Sequence, residues 1–466
     1  MSGPSASGAD QSAWPLLRSE RRWGPWRLTI ALTTAAAATW CYIIGEYVGY
    51  YLTFFQGAMA LAAGSMIGML LVLLAAGPVC IRFGVDSIAS TKPQFGNRGW
   101  VIPALMQFVS IIGWNSLLLI FFAKSTTQLL EVVGLLPANA GGARIVPITT
   151  FLACALIFLV LLRGATGISR ISNVLVAHVL LGFWMLYLLV SHRWPELVAA
   201  TPAMARPDRL WNYVTGVEIG ISAILSWWPY IGAMIRMAPD GRTVAVPVML
   251  GMGAPVPLLS LIGIAGILVL KVSDPAAWLR TVGGTAYAIV ALVFVAAANF
   301  GTAIAGIYAS AIGLRNFALA ERLPWSGLLL VTIAPVALVG VFIPELFFAK
   351  FGAFLAFIGV GFAPLCGIQI IDYYWLRRRQ VSVRALYDRD LAGDYAYWRG
   401  FNPAALLALA LGCAVYVYLL DPLSYTSRGP YQYLTASLPT ALIAALAYAA
   451  VTRVLVAPAG RGGYRR

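Results

Sequence analysis

The stretch EIGISAILSWWPY, residues 218–230, decides the fold because it places an acid and a helix breaker inside an apolar segment. Glu218 begins it, and two tryptophans followed by Pro229 end it. Proline lacks a backbone donor and clashes with the carbonyl four residues earlier, so it interrupts a helix. Backbone groups freed at membrane depth survive only where they line protein or a water-filled cavity. The stretch predicts an interrupted membrane helix beside a cavity, with a simple proline kink as the alternative.

The composition of the whole chain is that of a membrane protein. Of its 466 residues, 61% are hydrophobic and only 11% are charged, whereas soluble domains carry about 25% charged residues. Apolar runs of about 20 residues, the length that crosses a bilayer, recur along the chain. We predict an all-α polytopic membrane protein with twelve spans, at 28–54, 57–81, 101–130, 146–162, 171–191, 211–235, 243–270, 286–314, 325–343, 351–376, 402–420 and 433–455.

The basic residues predict which segments face the cytoplasm. With the N-terminus inside, 23 of the 32 lysines and arginines fall in cytoplasmic segments and eight in outer loops, as the positive-inside rule requires. The net charge of +15 therefore reflects topology and not nucleic-acid binding. We predict cytoplasmic tails at 1–27 and 457–466, a transmembrane domain at 28–456 in the plasma or inner membrane, and a solvated loop at 376–400.

Sequence signatures of enzymes and metal sites are absent. The sequence has no HExxH, CxxC or P-loop motif, and its two histidines, His178 and His192, stand apart from any nucleophile pattern. The five cysteines are scattered through apolar segments, which is typical of small core residues. We therefore expect no catalytic activity, no cofactor and no resident metal.

Polar and aromatic side chains inside the predicted spans mark a candidate binding site. Glu218 lies roughly 12 Å below the outer end of its span at 1.5 Å per residue, and a charge at that depth needs a cavity or a partner. Proton carrier, hydrogen-bond anchor and satisfied structural acid are the roles open to it. Trp114, with Asn115 beside it, lies near the middle of span three and offers a flat face to a planar heterocycle. A core or lipid-facing tryptophan is the alternative.

Span one carries a weaker set of the same signals. Gly45 and Gly49 predict soft breaks in its helix, and Glu46 lies between them beside tyrosines that look like an outer aromatic belt. Interrupted helices in positions one and six are how many secondary transporters build a substrate site at the bilayer midplane. Glu46 serves either that site or the structure, and the sequence leaves both open.

Five stretches carry motifs of a known family. They are RFGVDSIASTKPQFGNRGWVIPALMQFVSIIGW at 82–114, SWWPYIGAMIR at 226–236, IYASAIGLRN at 307–316, FAPLCGIQIIDYYWLRRRQVSVRALYD at 362–388 and YWRGFNPAALLALALG at 397–412. Together they resemble the nucleobase–cation symporter-1 family. That family includes permeases for cytosine, purines, allantoin, hydantoins and thiamine precursors.

The resemblance implies a LeuT-like fold of two inverted five-helix repeats and two trailing helices, covering residues 28–191, 211–376 and 402–455. It also implies import of a planar nitrogen heterocycle, coupled to sodium or protons, by alternating access. The substrate site implied by the resemblance and by the polar residues above is Trp114, Asn115, Glu218, Ser222, Ala223, Ile224, Ser226, Trp227 and Asn299. The resemblance places the coupling cation on oxygens near Ala38, Cys41 and Thr302.

Three positions depart from the family's pattern. Ala233 stands where many relatives have an aspartate, and Ala303 and Ala305 stand in span eight where relatives place substrate-binding asparagines. The ligand is therefore less polar than usual, or it is bound by Glu218 and Asn115 instead.

We expect a cation-coupled importer of a small heterocycle that works in the lipid bilayer as a monomer or weak oligomer. It is expected to bind no nucleic acid. The alternatives are a membrane-embedded enzyme or sensor and a passive channel. Sodium and protons both stay open as the coupling ion, with the resemblance favouring sodium slightly.

Overall fold

The regular secondary structure in the described part of the chain is entirely helical. The computed structural model describes residues 14–137, 142–162, 166–272, 281, 284–317, 320, 322–388 and 393–464. The helices at the predicted spans are, in chain order, Pro25–Ala36 with Trp40–Gly49, Phe54–Ala75, Val101–Val132, Gly142–Leu161, Thr166–Ala199, Arg209–Leu225 with Trp228–Ile235, Ala245–Leu270, Thr285–Leu314, Trp325–Phe342, Phe351–Leu376, Pro403–Leu419 and Ser437–Val456. Shorter helices lie in the connections, at Gly77–Phe83, Lys92–Phe95, Pro344–Ala349, Val383–Tyr387 and Tyr431–Leu434.

These helices account for the predicted membrane architecture. Among the described residues, eight helices are long and apolar enough to cross a membrane, and the bent pair that forms span one makes a ninth. Pro403–Leu419 is a shorter apolar helix at span eleven, and the helices at spans five and six complete the series. The all-α membrane fold is confirmed, and the count of twelve spans stays a prediction.

Loops predicted to share a side of the membrane lie together. The loop after span two contacts the loop after span ten, where the Arg98 N–H donates to the Gly400 carbonyl at 2.8 Å. At the other end of the bundle, the loop before span six contacts the end of span one, where the Met204 N–H donates to the Tyr50 carbonyl at 2.7 Å. Each bond joins two segments that were predicted to lie on the same side of the membrane.

The pairs of helices that pack together are related by a symmetry between the two halves of the chain. Span one packs against span seven, and span six packs against span two. Span three packs against span eight, and span four against span nine. If spans one to five correspond in order to spans six to ten, the pair one–seven corresponds to the pair six–two, and the pairs three–eight and four–nine correspond to themselves. Inverted repeats produce this pattern. Spans eleven and twelve pack against each other and against span ten.

Glycines let two of these pairs approach at backbone distance. A Cβ on Gly263 of span seven would overlap the carbonyl oxygen of Tyr42 in span one. A Cβ on Gly64 of span two would likewise overlap the carbonyl oxygen of Val217 in span six. Lipid supplies no hydrophobic driving force between helices, so close packing of small residues holds such crossings. The two crossings keep the interrupted spans inside the bundle.

The expectation of a soft break at Gly45 is wrong, whereas Gly49 is the last residue of its helix. The helix Trp40–Gly49 is continuous, and the break falls at residues 37–39, where the two halves of span one bend by 60°. Gly45 instead packs directly against the carbonyl of Ser260 in span seven. Residues 37–39 contain neither glycine nor proline, so local sequence gave no signal for this break.

The described part of the loop at 376–400, which was expected to be solvated, is partly buried. Arg377 is buried and pairs with Asp372, with 2.7 Å between Nε and Oδ2. Its guanidinium also donates hydrogen bonds of 2.6 to 2.8 Å to three further groups, the Gly462 carbonyl, the Pro93 carbonyl and the Tyr397 hydroxyl. A buried ion pair is tolerated only when its other donors are satisfied. This network joins the loop after span two, the end of span ten and the C-terminal tail.

Gly263→Ala is expected to prevent the assembly of a stable fold, because the added methyl group occupies the space of the Tyr42 carbonyl. The test is the yield and melting temperature of detergent-solubilised protein. Gly24→Ala is the matched control, since a Cβ there meets nothing within 4 Å. Parent-like yield and melting temperature for both variants would contradict the packing described for spans one and seven.

Candidate functional site

A side chain of span eight forms hydrogen bonds with the break in span one. The side-chain oxygen of Asn299 accepts hydrogen bonds from the Thr39 hydroxyl at 2.7 Å and from the Thr39 N–H at 3.3 Å. Both residues are buried, and polar groups at membrane depth need such partners. Asn299, a predicted substrate-binding residue, therefore contacts the break directly. Its Nδ2 donor is buried and has no hydrogen-bond partner.

Span six is interrupted at Ser226 and Trp227, as the sequence predicts. Both residues keep right-handed helical backbone angles, so the interruption is a tight turn between two helices. Pro229 lies in the first turn of the second helix, where its missing N–H costs little. The Ser226 hydroxyl donates to the Ala223 carbonyl. The predicted interruption of span six is confirmed. It is less than an unwound segment, because the backbone angles stay helical, but more than a simple proline kink, because one helix ends and a second begins.

Five aromatic rings from four spans meet between the two interruptions, and we call them the aromatic cluster. The Trp40 ring, at the start of the second half of span one, lies 5.4 Å from the Trp114 ring and 5.8 Å from the Trp227 ring. Phe351 and Phe354 of span ten lie 5.2 and 5.9 Å from the Trp114 ring. Trp114 and Trp227 were predicted, whereas Trp40 and both phenylalanines were missed because nothing local relates them to span three.

Two rings of the aromatic cluster carry donors that lack acceptors. The indole nitrogens of Trp40 and Trp114 are buried and have no hydrogen-bond partner. A buried polar group left unpaired costs about 1–3 kcal/mol, so a ligand that supplies acceptors here gains that free energy. The Nδ2 of Asn299 is a third such donor, and it belongs to the residue that bonds Thr39, next to Trp40. The arrangement can bind a flat molecule through ring contacts and carbonyl oxygens.

Other predicted substrate residues contact helices. Asn115 donates to a carbonyl one turn earlier in its own span at 2.8 Å, and its side chain packs against Gly306 of span eight. Ile224 packs against Gly68 of span two, and Ala223 is fully buried. These contacts place Ala223 and Ile224 in helix packing around the aromatic cluster, while the buried Oδ1 of Asn115 has no hydrogen-bond partner.

The Glu218 carboxylate is held by donors from spans six, eleven and twelve. Its Oε1 accepts hydrogen bonds from the hydroxyls of Ser437, Tyr416 and Ser222 at 2.6, 2.8 and 3.1 Å. Its Oε2 accepts from the backbone N–H groups of Ala436 and Ser437, both at 3.0 Å. These amides begin span twelve, and a helix N-terminus favours a negative charge. This geometry suits a carboxylate that holds helices together. The side chains of Glu218 and Ser222 thus face spans eleven and twelve.

The residues predicted for a cation converge on the break in span one. Ala38 lies in the break, and its carbonyl accepts from the Cys41 N–H at 3.1 Å. Thr302 follows Asn299 by three residues, which puts both on one face of span eight, and Asn299 bonds Thr39 in the break. Carbonyl and hydroxyl oxygens are suitable ligands for a hard cation. In the described ranges, no group of three or more His, Cys, Asp or Glu residues is placed to hold a metal ion.

Glu46, whose role the sequence left open, is buried in the second half of span one. Its Oε1 accepts from the Tyr50 hydroxyl at 3.0 Å. The neighbouring Tyr47 hydroxyl accepts from the Gly352 N–H at 3.0 Å, at the start of span ten. Tyr47 and Tyr50 therefore bond to other protein groups, which a purely interfacial aromatic belt would not require.

Comparisons with known proteins bear on the family and the fold of this chain. A family model described as permease for cytosine/purines, uracil, thiamine and allantoin matches residues 15–434. The hydantoin permease of Microbacterium maritypicum is 27% identical over 419 residues, which cover 86% of this chain and 82% of that protein.

Two solved structures of Mhp1, a nucleobase-cation-symport-1 family transporter, share the fold. The closed conformation with bromovinylhydantoin bound has a TM-score of 0.77 at 20% identity, over 95% of this chain and 96% of that one. The inward-facing conformation has a TM-score of 0.75 at 21% identity, over 95% of this chain and 94% of that one. The predicted LeuT-like fold class is confirmed.

Glu218→Gln is expected to lower the melting temperature by several degrees. The amide brings donors of its own against groups that already donate, and each buried group left unpaired costs about 1–3 kcal/mol. Glu196→Gln is the control, because Glu196 is exposed and its pair with Arg193 lies on the surface, where such pairs contribute about 0–1 kcal/mol. A Glu218→Gln protein with parent-like stability and no uptake would instead support a proton carrier.

Proposed function

Because the chain belongs to the family of permeases for cytosine and purines, uracil, thiamine and allantoin, we propose that it imports a planar nitrogen heterocycle by cation-coupled alternating access. The observation that carries this proposal is the aromatic cluster between the two interrupted spans, with the unpartnered indole donors of Trp40 and Trp114. Flat rings stack favourably on such side chains.

The donors around the aromatic cluster favour a heterocycle with carbonyl groups. Trp40, Trp114 and Asn299 offer N–H groups, and Ala303 and Ala305 add no polar group from span eight. Cyclic imides and ureides, such as hydantoins and uracil, are planar and carry two ring carbonyls. The relative from Microbacterium is named for hydantoin. A ring with fewer carbonyl acceptors would leave more of these protein donors unpaired and bind less tightly.

Sodium is the proposed coupling ion, with oxygens near Ala38, Cys41 and Thr302 as its ligands. Such a cation would lie where span one is unwound, at the contact with span eight. Ion binding there stabilises the contact between the two spans, which is how a coupling ion favours one conformation. A proton-coupled cycle would need a carboxylate that is free to exchange protons, and the five donors around Glu218 favour its role as an anchor.

The heterocycle is proposed to bind between Trp114 of span three and Trp227 of span six. Contact with both draws these spans together, so binding favours the closed state over either open state. From the positive-inside rule, both termini are proposed to lie in the cytoplasm of a cell membrane. The path from the aromatic cluster to the cytoplasm would then follow the second half of span six.

A thermal-shift screen with uracil, hydantoin and cytosine, each with and without sodium, tests the substrate and the ion. Uracil or hydantoin is expected to raise the melting temperature more in sodium than in potassium, with cytosine weaker. Trp114→Ala is expected to weaken binding by a factor of about 5 to 150, since stacking on one ring contributes about 1–3 kcal/mol. Trp26→Ala, which removes an exposed ring outside the cluster, is the control.

Counterflow in proteoliposomes separates a carrier from the alternatives. A carrier accumulates labelled heterocycle against unlabelled heterocycle inside, whereas a sensor accumulates none and a channel shows no saturation. Absence of any shift with the three rings, together with unchanged binding in Trp114→Ala, would contradict the proposed site.

A further inference from the structure

The connection after span two reaches into the bundle at Asp86 and Ser87. The helix Gly77–Phe83 ends at Gly84, whose φ of +70° turns the chain sharply. Asp86 and Ser87 follow and are almost fully buried, with 4% and 1% of their surface exposed. Buried polar side chains outside a membrane span need specific partners, and both residues have them.

Ser87 bonds the second half of span six at its first turn. Its hydroxyl donates to the Trp228 carbonyl at 2.8 Å and accepts from the Gly232 N–H at 3.1 Å. These are the two groups that a continuous helix joins to each other four residues apart. A Cβ on Gly232 would overlap the Ser87 backbone and hydroxyl. Ser87 can therefore approach span six only because residue 232 is a glycine.

Asp86 bonds the end of span eight. Its Oδ2 accepts from the Asn316 Nδ2 at 3.0 Å, and its Oδ1 accepts from the Ala89 N–H at 2.9 Å within its own loop. Burial raises the pKa of the Asp86 carboxyl, while the Ala89 amide and the charges of Arg236 and Lys92 oppose that rise. The carboxylate is thus surrounded by donors and cations from spans six and eight and from its own loop.

We propose that Asp86 and Ser87 form a latch, a pair of positioning residues that keeps the cytoplasmic side of the transport path closed. The latch fastens the second half of span six, which leads away from the aromatic cluster, to the end of span eight. These spans can separate at this face only after the bonds of Ser87 or Asp86 break. The inference rests on the proposed alternating access, but it does not depend on which heterocycle or ion is carried.

Cys80 provides a reporter for opening of the latch. It is fully buried in the helix Gly77–Phe83, which precedes the latch. Replacing the other four cysteines by alanine leaves Cys80 as the only thiol, and maleimide labelling from the cytoplasmic side then measures how often this face opens. No substrate is needed, so a wrong assignment of the heterocycle leaves the measurement intact.

Ser87→Ala removes both hydrogen bonds of the hydroxyl and is expected to speed the labelling of Cys80 about fivefold or more, since loss of one hydrogen bond changes an equilibrium by about that factor. Thr91→Val is the matched control, because the Thr91 hydroxyl bonds only within the same loop, to the Ile88 carbonyl at 2.7 Å. Asn316→Ala removes the partner on span eight at a half-buried position and is expected to act in the same direction. It serves as the test if Ser87→Ala does not fold.

A second single-thiol protein that retains only Cys154, in span four, distinguishes a latch from general loosening. The latch predicts faster labelling at Cys80 and unchanged labelling at Cys154, with melting temperatures close to that of the Thr91→Val control. Equal labelling of Cys80 in the parent, Ser87→Ala and Asn316→Ala proteins would overturn the proposal. Equal acceleration at both cysteines would overturn it as well, because the serine would then be merely structural.

Discussion

Close backbone contact between helices is the constraint on which the rest of this structure depends. Gly263 admits the carbonyl of Tyr42, and Gly64 admits that of Val217, so spans one and six each cross a neighbour with no side chain between. Membrane helices gain little by hiding apolar surface from lipid, and tight packing of small residues must hold them together. The two crossings keep both interrupted spans in the bundle, where only other protein groups can satisfy their polar atoms.

Each interruption is closed by a polar side chain from a distant part of the chain. Asn299 of span eight bonds Thr39 at the first, and Ser87 of the connecting loop bonds Trp228 just after the second. Such groups are costly to leave unpaired inside a membrane protein. A movement of span eight or of the loop therefore changes the geometry of an interruption, which would link the proposed binding site physically to the proposed latch.

Residues 218–230 were expected to form one binding surface, and the structure divides them between two. Glu218 and Ser222 bond toward spans eleven and twelve, whereas Trp227 joins the aromatic cluster. Nine residues make about 2.5 turns of a helix, which points the side chains of Glu218 and Trp227 to opposite faces. The spacing in the sequence predicts that the two side chains face opposite sides. It does not predict their partners, because Tyr416 lies 198 residues from Glu218.

The sequence by itself determined the apolar spans, the alternation of loops between two faces and the family, because hydropathy, charge and motifs are properties of contiguous residues. It also picked out Trp114 and Trp227. Only the tertiary structure decided that span one breaks at residues 37–39, that Trp40 completes the aromatic cluster, and that the carboxylate of Glu218 accepts five hydrogen bonds from spans six, eleven and twelve. Each of these depends on atoms far along the chain. A buried acid or tryptophan has the same local sequence whether its partner is a ligand, lipid or another helix, and the fold selects among them.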